Sequence, residues 1–175
     1  MRLIGFCWGI GGILLILLFA IYRLTPMALE LEYLPMRISH WLSLIISIIY
    51  MAYAEGYKGF HLSFAPRAVL RAMYLQENPK TVHVIMAPLF CMGFIHATRK
   101  RQLLSIGLTL MIFCFVVLIR FVPQPWRGIL DAGVVVGLSI GVISIFYYIY
   151  QVRNNPEIFS VTADVPHNDW GIKFT

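Results

Sequence analysis

Long apolar runs separated by short polar breaks make up most of the chain. Leu3–Tyr22 is one such run, and about 20 apolar residues in a helix cross roughly 30 Å of hydrocarbon. Ile38–Tyr57, Val82–Ala97, Leu103–Phe121 and Ile129–Gln151 follow it. The pattern predicts an all-α polytopic membrane bundle of five transmembrane helices. It forms one transmembrane domain over residues 1–152, with a polar tail over 153–175. The third run is short and contains Pro88, which lacks a backbone donor and should kink it. A membrane tolerates this where neighbouring groups or water satisfy the freed carbonyl.

The breaks carry their own signals. Thr25-Pro26 fits a helix N-cap followed by proline at the first helical position, which predicts a short surface helix over Met27–Tyr33. The longest break runs from about Lys58 to Thr81. Within it, Pro66–Gln76 sets Val69, Leu70, Met73 and Tyr74 on one side and Arg67 and Arg71 on another. That spacing predicts an amphipathic helix lying in the headgroup region, stopped by Asn78-Pro79. Arg99-Lys100-Arg101 dominates the third break, and Pro123-Gln124-Pro125 with an interfacial Trp126 forms the fourth.

Composition agrees with the pattern. Of 175 residues, 59% are hydrophobic and 13% charged, where soluble domains carry roughly 45–50% and about 25%. Mean hydropathy is +0.77. A disordered chain is excluded, and an ordinary soluble enzyme does not fit. The net charge of +6 comes from basic residues placed between apolar runs, where anionic headgroups, not nucleic acid, are the partner. Five crossings would divide the Lys and Arg residues seven to seven, which leaves the orientation undecided. Cys7, Cys91 and Cys114 each lie in an apolar run without a CxxC pair and read as small buried side chains. The first run is longer than a secretory apolar core and no A-x-A site follows it, so it reads as a retained helix.

Membrane helices associate through close packing of small residues and interhelical hydrogen bonds. Gly133, Gly137 and Gly141 form one smooth stripe on the fifth helix, and Gly5 and Gly9 another on the first. Ser39, Ser43 and Ser47 repeat at the same spacing on the second. These stripes serve contacts within one subunit, a homodimer, or another membrane subunit.

Ionisable groups at membrane depth are candidate functional sites. With five alternating helices, Glu55, His83, Arg120, Arg127 and Asp131 all reach one membrane surface, and a polar cluster of these residues is geometrically allowed. Charge compensation is the plainer reading: Asp131 with Arg127 four residues away or with Arg120, and Glu55 with Lys58. Asp131 also suits the first turn of its helix, where the dipole favours a negative charge. Bis-imidazole haem ligation needs facing histidines. His83 and His96 lie thirteen residues apart on one helix and point to nearly opposite faces, so His40 with His96 is the weak candidate pair for haem or another metal. HExxH, GxSxG, P-loop and Rossmann glycine patterns are absent, so no catalytic residue and no cofactor is assigned.

Three runs, Ala54-Glu55-Gly56-Tyr57-Lys58-Gly59-Phe60, the stretch from Ala87-Pro88-Leu89-Phe90 through Gly93-Phe94-Ile95-His96 to Arg99-Lys100-Arg101, and Pro123-Gln124-Pro125-Trp126-Arg127-Gly128-Ile129-Leu130-Asp131-Ala132-Gly133, resemble those of an uncharacterised family of small bacterial integral membrane proteins. The resemblance implies a multi-pass inner-membrane protein and brings no activity or ligand. The leading expectation is a non-enzymatic accessory or interaction subunit. A small transporter or channel using the polar cluster stands second, and a haem-binding membrane protein third.

Overall fold

The computed structural model describes residues 2–78, 81–95 and 97–154. His96 and almost all of the expected polar tail lie outside them. The described residues are helical, with no strand among them. Helix α1 spans Arg2–Leu29 and runs into a 3-10 turn over Glu30–Tyr33. Helix α2 (Ile38–Met51) continues through a π-helical segment (Ala52–Phe64) into α3 (Ala65–Glu77). Short helices α4 (Thr81–Ile85) and α5 (Ala87–Cys91) precede α6 (Arg99–Ile119) and α7 (Trp126–Asn154). Among the described residues, four helices are long and apolar enough to cross a membrane: Leu3–Tyr33, Ile38–Glu77, Gln102–Ile119 and Trp126–Asn154.

The third expected run, 82–97, is not one continuous helix between residues 81 and 95. Pro88 has no N–H to give to the carbonyl four residues back, and the chain leaves helical geometry at Met86, with φ −97° and ψ 28°. Gly93 then ends α5 at φ 86°, a left-handed conformation that costs a residue with a Cβ. Two reverse bonds close this end: Gly93 N–H to the Phe90 carbonyl (3.0 Å) and Phe94 N–H to the Leu89 carbonyl (3.1 Å). This is the Schellman pairing that satisfies the last carbonyls of a helix. What reads as one membrane-length run is therefore two five-residue helices and a sharp stop.

Three further segments differ from expectation. No loop opens at Lys58, because the π-helical turns keep the backbone hydrogen-bonded from α2 into α3 across Gly56 and Gly59. The helix over 66–76 is present within Ala65–Glu77, and its Ala65, Ala68, Val69, Ala72 and Leu75 are buried in protein, and so is Arg71 of the expected basic face. Pro26 lies inside α1 instead of starting a new helix, and the Thr25 hydroxyl bonds back to the Ile21 carbonyl at 2.7 Å.

The chain divides into two compact units. The first takes residues up to Leu14, Phe64–Thr109, and those from Ile145. Its core is α3 against α5, through Val69, Ala72, Ala87 and Phe90. The glycines of α1 fit here. A Cβ on Gly5 would lie 3.2 Å from Leu75, one on Gly9 would lie 2.7 Å from the Cys91 sulfur, and one on Gly12 would collide with the Pro88 ring. Trp8 donates its indole N–H to the Ile85 carbonyl at 3.1 Å. Ser105 and Gln102 of α6 donate to the Met92 and Phe94 carbonyls.

The second unit takes Leu15–Ser63 and Leu110–Ser144. Here α2 and its π-helical extension lie along α7, and the 3-10 turn packs on the start of α7 at Gly128. Gln124 joins these parts, donating to Glu30 (2.9 Å) and accepting from the Gly128 N–H (3.0 Å), one of the orphan donors at the head of α7. Helix α6 is exposed from Gln102 to Ile119 at every position except Ser105 and Ile119. A helix that is apolar all round needs an apolar surrounding on all sides.

Candidate functional site

The seam between α7 and the α2–π-helical segment, all within the second unit, concentrates the polar groups. Its base is the glycine stripe. A Cβ on Gly133 would lie 2.6 Å from the Ser47 hydroxyl oxygen, and one on Gly137 3.3 Å from Glu55 Cβ and from the Met51 carbonyl. One on Gly141 would lie 2.7 Å from the Phe60 ring. The residues facing Gly133, Gly137 and Gly141 are thus Ser47 and Met51, then Met51 and Glu55, then Phe60. The step from Glu55 to Phe60 is five residues, while α7 advances by four from Gly137 to Gly141. The wider i to i+5 turn of a π-helix supplies that extra residue. In return, Gly56 admits Ile140 of α7, whose Cδ1 would sit 2.7 Å from an added Cβ.

Residue numbers rise together on both sides of this seam, so the two segments run parallel. Near its start the His40 ring meets Trp126 edge-on at 5.3 Å. Further along, Ser47 donates to the Ile129 carbonyl at 3.1 Å. At its other end His61 Nδ1 lies 3.2 Å from Ser144 Oγ. The Ser144 hydroxyl donates to the Ile140 carbonyl at 2.7 Å, which leaves its oxygen to accept and makes His61 Nδ1 the donor. Tyr53, Tyr57 and His61 stack in succession, with ring centroids 6.2 and 5.7 Å apart, and Lys58 Nζ lies 5.3 Å from the Tyr53 ring centre.

The residues expected to form one polar cluster are distributed differently. Glu55 is half-buried on Gly137. Asp131 is 2% exposed and faces Arg127 at 3.7 Å, with neither Asp131 Oδ2 nor Arg127 Nε in hydrogen-bonding geometry. Arg120 is exposed just past the end of α6. His83 belongs to the first unit, where its ring stacks on Phe90 at 5.1 Å. His40 Nδ1 accepts the Arg37 N–H at 3.3 Å, so this ring closes the first turn of α2. No group of three or more potential metal-ligating side chains occurs among the described residues.

Arg71 is the residue whose role the sequence hides. It is 1% exposed, donates from Nε to the Phe90 carbonyl (2.7 Å) and from Nη2 to the Ile95 carbonyl (2.6 Å), and lies 4.5 Å over the Phe90 ring. A cation at the carbonyl end of α5 is favoured both by the helix dipole and by the orphan acceptors there. Its spacing four residues from Arg67 looks like one polar helix face, and the local sequence does not say that this face will be covered. Beside it, burial pushes the Cys91 thiol up to about 12, with Arg71 acting in the opposite direction. Apart from these sites, Ala28, Leu31, Glu32, Met36 and Trp41 line an open apolar cavity of about 360 Å³ in the second unit.

Compared with protein-family models, curated proteins and solved structures, the chain matches none.

Proposed function

We propose that the chain is a polytopic integral membrane protein of four spans, acting as a non-enzymatic accessory subunit through contacts between its helices and those of a partner. The observation carrying this reading is α6, apolar and exposed at all but two positions over a span-length helix. A helix with so little cover from its own chain has nearly its whole surface for acyl chains and for a neighbouring membrane helix. An inner-membrane location goes with the resemblance carried by the runs at 54–60, 87–101 and 123–133.

Four spans also agree with the seam. Five alternating crossings would set the second and last helices antiparallel, whereas four set them parallel, as the Ser47-to-Gly133 and His61-to-Ser144 pairs require. Among the described residues, Arg23, Arg37, Arg120 and Arg127 then fall at one surface. Arg2, Arg67, Arg71, Arg99, Lys100, Arg101 and Arg153 fall at the other. The balance no longer cancels, and the second surface is the cytoplasmic one.

The test is the mass of the particle extracted from native membranes in mild detergent. A homodimer or a stoichiometric complex with another membrane protein is expected. A monodisperse monomer that carries no other chain overturns the accessory reading. Reporter fusions at Thr98 and at Pro35 test the topology separately, with the reporter active in the cytoplasm at Thr98 alone.

A further inference from the structure

We infer that the seam between the π-helical segment and α7 transfers protons, with Glu55 as the carrier inside the membrane and His61 as its exchange partner near the cytoplasmic boundary. The inference rests on the membrane reading above and adds an activity to it. Depth is the first argument. Trp126 and His40 meet at the start of the seam, and Trp126 is an interfacial anchor. Gly137 lies eleven residues further on, about 16 Å at 1.5 Å per residue, or half the hydrocarbon thickness. Glu55 sits on Gly137, so its carboxyl is near the midplane. Ser144, which holds His61, is eighteen residues from Trp126, about 27 Å along the same axis and near the opposite boundary.

The second argument is the backbone. A carboxyl at the midplane is costly and by default marks an ion or proton pathway. The chain places it inside a π-helical segment, Ala52–Phe64, a rare geometry that as single-turn bulges is frequent at functional sites. On the same segment Tyr53, Tyr57 and His61 stack in succession, from two residues before Glu55 to the residue that meets Ser144, with Tyr53 and Tyr57 exposed. The charged groups of α7 are elsewhere: Arg127 and Asp131 pair with each other near the Trp126 end, and Glu55 meets the backbone at Gly137. Lys58 reaches the Tyr53 ring.

The step conserves atoms and moves no electrons. The O–H bond of the Glu55 carboxyl breaks and its proton passes through water to the free-base imidazole of His61, where an N–H bond forms. The imidazolium releases a proton to cytoplasmic water, and the Glu55 carboxylate takes a proton from water on the Ser47 side. Net transfer is one proton across the seam, and water is the only other reactant.

The experiment uses the full chain in proteoliposomes loaded with a pH-sensitive dye, under a potassium diffusion potential set by valinomycin. Wild-type protein should change the internal pH faster than protein-free vesicles do. Glu55→Gln, which keeps the shape and loses the exchangeable proton, should fall to the protein-free rate. His61→Phe, which keeps the stack on Tyr57 and loses both nitrogens, should slow the flux, and Asp131→Asn should leave it unchanged. A wild-type rate equal to that of protein-free vesicles overturns the inference, as does a Glu55→Gln rate equal to wild type in protein that elutes as wild type. Flotation of the protein with the vesicles tests the membrane reading by itself, so failure of that reading is distinguishable from absence of flux.

Discussion

Arg71 and Ile95, twenty-four residues apart in the chain, are joined by a 2.6 Å bond from the guanidinium Nη2 to the backbone carbonyl, and the same guanidinium holds the Phe90 carbonyl. One buried side chain thereby closes the end of the broken segment between α4 and α6. Replacing Arg71 by methionine keeps much of the volume and leaves both carbonyls without this donor. Hydrogen bonds to a charged group contribute about 1.5–3 kcal/mol each, so a loss of about 3 kcal/mol is expected. Arg71→Lys should recover little of it, because one ammonium does not reproduce the planar fork. Thermal unfolding of the detergent-solubilised variants measures both.

Gly93 gives a second, independent test of the same segment. Its φ of 86° is left-handed. Gly93→Ala should destabilise by about 1 kcal/mol, and Gly93→Asn by less, since asparagine tolerates that conformation. Equal stability of Gly93→Ala and wild type in thermal unfolding would remove the proposed stop.

The glycines are not equivalent, and alanine substitution should sort them. An added Cβ at Gly128 would lie 2.8 Å from the Met27 carbonyl oxygen, and one at Gly133 would lie 2.6 Å from the Ser47 hydroxyl. Each should cost about 1–3 kcal/mol through overpacking. Nothing lies within 4 Å of an added Cβ at Gly11 or Gly107. Alanine at those two positions should be neutral or stabilising by up to about 1 kcal/mol from helix propensity alone. Gly137→Leu should disrupt the seam outright, measured as lost detergent stability.

Cys91 should resist modification. It is buried, while Cys7 and Cys114 are exposed. With its thiol raised to about 12, the reactive thiolate is scarce at neutral pH. A membrane-permeant maleimide should label a Cys7→Ser/Cys114→Ser variant only after unfolding. The sign of the pH effect follows from linkage: the unfolded thiol ionises near its ordinary value of 9.0, the folded one does not until about 12. Stability therefore falls as pH rises through that interval and is unaffected below it. Alkaline unfolding that is unchanged in Cys91→Ala would show that the thiol does not contribute.

Much of the helix content was legible because its cause is local. The runs at 3–22, 103–121 and 129–151 are predominantly apolar over a membrane thickness; the first and last lie within long helices, and the second does so up to Ile119. The run at 82–97 is nearly as apolar, and Pro88 was visible. Which backbone groups would be satisfied around Pro88 and Gly93 was not, because Arg71, Ser105 and Gln102 supply those donors from other helices. Glu55 was legible as an ionisable group in a membrane-length segment. Its neighbour was not: alternation of five helices grouped it with His83, which lies in the other unit.

By itself the sequence determined that this chain carries helices long and apolar enough to cross a membrane, since hydropathy and length are properties of consecutive residues. Tertiary structure decided how many of those stretches become single long helices, which arginine is covered, and which residues meet the glycine stripe. The physical reason is that a break in a helix or a buried charge is stable only when a distant segment provides the missing hydrogen bonds. Likewise, the single extra residue between Glu55 and Phe60 has meaning only against the four-residue spacing of the glycines it packs on.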